Sequence, residues 1–517
     1  MSMSKRYSDC HDEISSDELY EGLLAHGMFT EKLPPVFTSR SFYRYAEKQK
    51  QPFSYKKGGW GYVFFESMRD TNVPRALGIP NPIAYQRLCA SLRDNWREIQ
   101  RHFYSHTNGD KYKISRIHIR KRKGEKSLFK MNYSDWRVDD SPVPDILVGK
   151  RYVVTADIST CFPSIYTHSL CWALVGKDEA KNNRDPKLWY NELDHRCMDL
   201  KSCETHGLLI GPHASNLLAE IILTVIDDHL SKKWEYIRNI DDYTCYVKSN
   251  VEGQLFLTEL AAQLRNFDLS LNHKKTKIKE LPIASTKHWV RQLNAFDFSA
   301  SHGSVDYKKA QAYLDVAVSL MSENDDNAAI LNYAIKVLAK EKLSDRAKDY
   351  CAKTILHMAV IYPYLIPMLE DYVFKPLEVS DETVMEFAKI VYNDALEREN
   401  YEAIIYMIYY ALKYNFKLLA VKAEDAIKKD SCLFKLFAYL YFERLKNKEA
   451  RDELKRHAKE LSKNDFDCNW LFIYEVLSCD DLDGEWKALK KEGVSFIKAL
   501  FRSSVSKRGG VAGELPR

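Results

Sequence analysis

No CxxC pair occurs anywhere in the chain, although it holds 11 cysteines. An odd, unpatterned set in a chain of 517 residues excludes a disulfide framework and predicts reduced, mostly buried thiols. Cys197, Cys203 and His206 lie near one another, but no second pair of ligands follows, so zinc is not expected there. The N-terminus has no continuous apolar stretch of the kind a signal peptide needs. The longest apolar run, Ala403–Leu412, is far short of a membrane span. A soluble protein of the cytoplasm is therefore expected. Charge of one sign is also scarce: 77 Lys and Arg against 72 Asp and Glu leave a net +5, which says little about partners. Only the run 111–130 is conspicuously basic, with nine Lys or Arg, and such a run reads by itself as a solvated loop.

Glycine is missing too, between Gly303 and Gly484, and prolines there are confined to positions 363, 367 and 376. A helix without interior glycine avoids a penalty of about 1 kcal/mol at each such position. Apolar residues recur at three- and four-residue spacing, as in Ile330, Tyr333, Ala334, Val337 and Leu338. Breaks are expected near Lys342–Ser344, Glu399–Asn400, Asp430–Ser431 and Lys446–Asn447. The fold class expected is α+β in the first half and all-α in the second, with helical hairpins stacked as a HEAT-like solenoid. Tyr401, Tyr406, Tyr409, Tyr410 and Tyr414 are placed mostly inside, and Lys413, Lys417 and Lys422 offer a lining for nucleic acid on a concave face. The division expected is a flexible or peripheral lead over 1–40, an α/β unit over 41–302, helical repeats over 303–502 and a disordered tail over 503–517.

Three segments of the α/β half carry the candidate chemistry. In Val153–Tyr166 (VVTADISTCFPSIY) a β-rich run delivers Asp157 to a strand end, and Phe162 follows five residues later. In Tyr236–Lys248 (YIRNIDDYTCYVK) β-favouring flanks surround Asp241 and Asp242, which fits a hairpin with the acids at its tip. Clustered carboxylates raise one another's pKa unless a cation is present, so a divalent metal with oxygen ligands accounts for three together. Between them, His206–Leu223 (HGLLIGPHASNLLAEIIL) reads as a turn with Gly207 and Gly211, then a core-packed helix marked by Leu217, Leu218, Ile221 and Ile222. Each piece alone is unspecific; an Asp-Asp pair in a turn is usually only a turn. Their order and spacing are what carry weight.

These segments resemble motifs A, B and C of the reverse-transcriptase palm. Asp157 and Phe162 match motif A, and Gly207, Gly211, Ser215, Leu218, Ala219, Ile221 and Leu223 match motif B. Asp241–Asp242 match motif C. Leu271–Ile278 (LNHKKTKI) is similar to motif D with Lys275 as its lysine, and Val73–Tyr85 to the fingers segment with Arg75 as its arginine. Asn239 stands where an aromatic usually precedes the motif C acids, and Leu209 where motif B usually has proline. No clear motif E follows Lys287. The resemblance implies fingers and palm of a right-hand polymerase and catalysis by Asp157, Asp241 and Asp242. Mg²⁺, or Mn²⁺, would be held by Asp157, Ile158, Asp241 and Asp242. Arg75, Phe162, Gly211, Ser215 and Lys275 would stand at the incoming dNTP, with Phe162 as the gate against ribose.

A reverse-transcriptase core followed by a long helical half is similar, in turn, to the bacterial abortive-infection and defence-associated reverse transcriptases. That likeness implies antiphage defence, homo-oligomeric assembly, an RNA template or bound RNA, and DNA synthesis that need not use a conventional template or primer. Two other readings compete. One is an RNA-synthesising palm polymerase, which Phe162 disfavours. The other is an inactive polymerase fold serving as an RNA-binding scaffold, for which three clustered acids would have no use.

Overall fold

The computed structural model describes residues 5–49, 52–70, 73–131, 141–284, 286–299 and 303–502. The tail over 503–517, and the last residues before the 302/303 boundary, lie outside the described residues. Two sheets form. One is an antiparallel hairpin of β1 (Tyr62–Asp70) and β2 (Val73–Pro80). The other contains β3 (Tyr152–Asp157), β4 (Tyr236–Asn239), β5 (Asp242–Val247) and β6 (Lys277–Glu280), in the order β4-β5-β3-β6. All neighbours are antiparallel. β3 is flanked on both sides, and Val153, Val154 and Ala156 are buried accordingly, as a β-branched central strand should be.

The helix His213–Ser231 follows the Gly207–Pro212 turn, and Leu217, Leu218, Ile221 and Ile222 on it are buried. It packs on the helices Trp96–Thr107, Ser169–Val175 and Asn250–Arg265. The palm-like sheet is thus backed by helices, and its strand ends remain available for chemistry.

Residues 5–40 are not a peripheral lead. Tyr7–Asp12 and Ser16–Leu24 are helices, and Tyr7, Leu19, Tyr20, Leu23 and Leu24 are buried. Ser15 and Glu18 form a reciprocal capping box at the second helix. The polar average of this segment conceals a continuous apolar stripe. Beyond it the chain meets its own C-terminal part: Thr38 N–H donates to the Phe496 carbonyl (2.9 Å), and Lys498 N–H to that of Val36 (2.9 Å).

The basic run 111–130 is solvated only in part: Lys111, Lys121, Lys123, Lys126 and Lys130 are exposed, but the stretch between Lys113 and Arg120 is not. Lys113, Arg116, His118 and Arg120 are buried alongside Ile114, Ile119, Leu128 and Phe129. The segment runs beside β4, where Arg238 N–H donates to Ile114 (2.9 Å) and Arg116 N–H to Arg238 (2.8 Å). The Arg116 and Arg120 guanidinium groups donate to main-chain carbonyls of Lys113 and Arg116. Buried cations are tolerated where such donors are used.

The second half is helical from Tyr307 onward, and all four expected breaks fall between helices. Ser344, Asn400, Ser431 and Asn447 cap the helices that follow them, and Glu399 and Lys446 take left-handed backbone at the turns. Tyr406, Tyr409 and Tyr410 are buried and Tyr401 and Tyr414 half-buried, as expected. A HEAT-like repeat is not established: helix lengths range from 6 residues (Ala423–Lys428) to 17 (Asp345–Ile361), and 3-10 and π turns interrupt them at Pro363–Phe374. Nor is this half a free-standing solenoid. Glu402 accepts from Ser67 Oγ and Met68 N–H of β1, each at 2.7 Å, and Tyr406 donates to the Lys32 carbonyl (3.1 Å). Lys413 pairs with Glu370, while Lys417 and Lys422 are exposed.

None of the 11 cysteines is in a disulfide. No helix among the described residues is long and apolar enough to cross a membrane.

Candidate active site

β3 ends at Asp157 and β5 begins at Asp242, and the antiparallel register sets these two residues directly opposite each other. The β4–β5 hairpin turns through Ile240, whose φ of 60° is left-handed, and Asp241. Asp241 is tied back to β3, because Ile158 N–H donates to its carbonyl (3.1 Å). Three carboxylates are thereby collected at one strand end.

Burial pushes the Asp241 carboxyl up, and the charge of Asp157 adds to the effect. Asp242 is pushed up to about 6 by burial, by Asp241 and by a hydrogen bond with Asp157. Opposing these acids are two cations. Lys275 Nζ lies 2.7 Å from Asp157 Oδ2, and Asn272 Nδ2 donates to Asp157 Oδ1 at 3.1 Å. Arg75, half-buried on β2, has a pKa lowered by burial and by Arg69, and the nearby charge of Asp241 opposes that shift. The motif D likeness puts Lys275 at the triphosphate; here its ammonium pairs instead with the motif A carboxylate.

The donor set suits a hard divalent cation: oxygen ligands only, with acids that repel one another when such a cation is lacking. Among the described residues, no three His, Cys, Asp or Glu side chains converge as a ready-made cage. Lys275 in this arrangement occupies an oxygen of Asp157 that a metal would use.

Phe162 lies in the short Cys161–Ser164 helix, half-buried, and its carbonyl accepts from Leu208 N–H (2.8 Å). The motif A and motif B segments are therefore joined. Gly207 has a φ of 86°, and a Cβ there would stand 3.0 Å from the Pro163 carbonyl oxygen, so no other residue fits without strain. Gly211 has a φ of 131° and abuts the Gly78 carbonyl, while Gly78 N–H donates to Ile210 (3.0 Å). The glycine turn thus links the Phe162 segment to the hairpin that carries Arg75. Ser215, the third residue of the helix that follows this turn, is buried to the same degree as Asp157.

Sequence reasoning missed the group that holds the hairpin. Arg238, fully buried on β4, donates to Glu220 (2.7 Å), to Asp227 (2.6 and 2.9 Å) and to the Ile240 carbonyl (2.8 Å). Tyr7 and Tyr236 hydroxyls donate to the same two carboxylates, at 2.7 and 2.8 Å. Burial alone would lower the Arg238 pKa, but Asp227 and Glu220 outweigh it and hold the charge firmly on. The signal was present: an arginine inside an apolar strand, and two acids seven residues apart on one face of an apolar helix.

Comparison with known families agrees with this geometry. Residues 120–318 match the family described as reverse transcriptase (RNA-dependent DNA polymerase). The chain carries a reverse-transcriptase domain. It is a nucleotidyltransferase of the RNA-directed DNA polymerase class. The matched residues run past position 302 into the helix Tyr307–Ser322. Among solved structures the chain is similar to apo telomerase from Candida tropicalis, with 11% identity over 80% of this chain and 72% of that one, at a TM-score of 0.33. It is likewise similar to telomerase from Candida albicans in complex with a fragment of telomeric RNA, with 10% identity over 84% and 69% and a TM-score of 0.30. No curated protein matches the chain.

Proposed function

We propose that the chain adds dNTPs to a DNA strand, copying RNA or working without a template, by two-metal-ion catalysis at Asp157, Asp241 and Asp242. The observation that carries this reading is the register of β3 and β5, which sets Asp157 against Asp242 with Asp241 in the adjoining turn. Bound Mg²⁺ or Mn²⁺, held by these three carboxylates and Ile158, would activate the attacking hydroxyl and stabilise the leaving pyrophosphate. Arg75 supplies a cationic group on the neighbouring hairpin, suited to triphosphate oxygens. Phe162 lies on the segment joined to the glycine turn and excludes a 2′-hydroxyl by bulk. Lys275 releases Asp157 and becomes available as a charge or proton donor to the nucleotide.

The biological setting we propose is bacterial antiphage defence, in the cytoplasm, by a homo-oligomer that binds nucleic acid. Its support is the architecture, a polymerase core continuous with a long helical half. Primer-extension and primer-free assays with dNTPs and Mg²⁺ test the activity. Incorporation by the parent and none by Asp242→Asn is expected, and equal incorporation by both sinks the reading. Incorporation of NTPs in preference to dNTPs would point instead to RNA synthesis. Plaque counts on cells expressing parent or Asp242→Asn chain test the setting, and protection is expected from the parent alone.

A further inference from the structure

A cleft lies between the N-terminal helices and the end of the basic run. It has a volume of about 580 Å³, and Arg40, Arg44, Glu21, His26, Glu125 and Lys126 are among its lining residues. Arg40 and Arg44 are four residues apart on the helix Arg40–Lys48 and so share one face. The floor comes from the Ser16–Leu24 helix and the residues after it, and the opposite wall from the end of the basic run. The cleft backs onto the active-site scaffold, since His213 N–H, at the start of the motif B helix, donates to the Gly27 carbonyl (2.8 Å).

The charges in this cleft do not cancel. Glu21 is already engaged by Lys126 (2.5 Å), and Glu125 by Arg122 (2.6 Å). Both carboxylates therefore carry their own cation. Among the described residues, neither the Arg40 nor the Arg44 guanidinium has a hydrogen bond or ion pair. Two guanidinium forks left over in a cleft of nucleotide size are suited to phosphate oxygens, which they bind bidentately. Burial lowers the pKa of His26 and Lys498, and the nearby charge of Arg40 adds to the effect in both.

We propose that this cleft is a phosphate-binding site, separate from the three aspartates, that takes a phosphate of a nucleic-acid strand or of a free nucleotide. The site needs no divalent metal, because its ligands are cations.

The test uses the full-length chain in EDTA, so that the carboxylate site cannot hold a triphosphate through metal. The probe is a fluorescein-labelled, 5′-phosphorylated oligothymidylate of about ten nucleotides. Arg40→Gln/Arg44→Gln is expected to weaken binding at least about tenfold. It should also reduce the slope of log affinity against log salt by about 0.7 for each phosphate the protein no longer neutralises. Arg40→Lys/Arg44→Lys keeps the charge and loses the forks, so it is expected to keep the parent's salt slope and to bind with an affinity between those of the parent and the glutamine variant. ATP and inorganic phosphate, added as competitors, distinguish the sources: displacement by ATP assigns a mononucleotide site, and displacement by unlabelled oligonucleotide alone assigns a strand track. Unchanged affinity and unchanged slope in the glutamine variant overturn the proposal. If that variant fails to fold, phenylglyoxal labelling of the parent decides. Protection of Arg40 and Arg44 by the oligonucleotide or ATP supports the site, and labelling unaffected by either overturns it.

Discussion

Arg238 donates to the carbonyl of Ile240 at 2.8 Å, and through that bond a buried charge network fixes the turn that presents Asp241. Left-handed backbone at a β-branched residue such as Ile240 costs energy and persists only where the surroundings enforce it. Arg238 supplies that enforcement from the strand side, and Ile158, bonded to the Asp241 carbonyl, from the other. Arg238→Met leaves Glu220 and Asp227 without their buried cation, and a loss of about 3–5 kcal/mol in unfolding free energy is expected by urea denaturation. Adding Glu220→Gln and Asp227→Asn removes the unpaired charges and recovers much of that stability. Polymerase activity should stay low in the triple variant, because Ile240 still lacks its donor. Full activity there would separate Arg238 from the catalytic turn.

The three aspartates predict a metal response. Asp241 and Asp242 are both held above the ordinary carboxylate range by burial and mutual repulsion, so a bound cation relieves the native state. Any ligand that binds only the folded chain raises its stability. Mg²⁺ should therefore raise the melting temperature of the parent and have a much smaller effect on Asp241→Asn. The same variant should lose at least about 10²-fold in nucleotide incorporation, the scale for removing one preorganised electrostatic group. An equal thermal shift in both proteins would argue against metal at these acids.

Phe162→Ala is expected to admit ribonucleotides and to lower the efficiency of dNTP use. Its backbone is joined to Leu208 of the glycine turn through the Phe162 carbonyl. Competition between a dNTP and its NTP, read as the ratio of kcat/KM values, checks the role. A ratio equal to the parent's removes Phe162 from sugar selection.

Glu402 gives a pH dependence whose sign is unusual for a carboxylate. It is buried, accepts from Ser67 and Met68, and is pushed up to about 7, chiefly by burial. Its unfolded value is near 4.5, so between about pH 4.5 and 7 the folded state binds the extra proton. Stability from this group is present below pH 4.5 and is lost as pH rises towards 7, by roughly 3 kcal/mol at about 1.4 kcal/mol per unit. Glu402→Gln should abolish this contribution, since an amide can accept from Met68 and donate to Ser67 without titrating. Urea midpoints at pH 5 and pH 8 check it: the parent should lose more stability across the interval than the variant does.

The Asp241–Asp242 hairpin, the glycine turn and the helical second half were legible because each rests on local pattern. Asp241–Asp242 between β-favouring flanks, Gly207 and Gly211 before an apolar helix, and the missing glycines are all read over a few neighbouring residues. What escaped depends on contacts far apart in the chain. Nothing near Arg116 states that its strand-like neighbours will pair with Arg238, more than a hundred positions away, so a buried segment reads as a solvated run. The Ser15–Glu18 capping box was a local signal for the Ser16–Leu24 helix, but what buries that helix lies elsewhere in the chain.

The same long-range contacts govern where the chain can be cut. Sequence alone suggests a boundary near Gly303. In the structure the two halves share one apolar core: Phe37 stacks on Phe29 and meets Phe437 edge-on, and Phe42 packs on Phe496. Ser41 donates to the Ser495 carbonyl (2.7 Å), and Glu402 satisfies the edge of β1 beside the strand that carries Arg75. A 1–302 fragment would expose the apolar faces of Phe37 and Phe42 and leave Ser67 and Met68 without their acceptor. Apolar burial contributes about 25 cal/mol per Å², so uncovering even one large aromatic costs about 2 kcal/mol, and several are uncovered together. The fragment is therefore expected to be insoluble or to melt far below the full chain. Co-expressing 1–302 with 303–517 should restore a soluble complex, because the interface is extensive and apolar. Size-exclusion chromatography and thermal melting of the fragment, alone and co-expressed, measure this directly. A 1–302 fragment that stays monomeric and melts with the parent would show that the polymerase unit folds without its helical half.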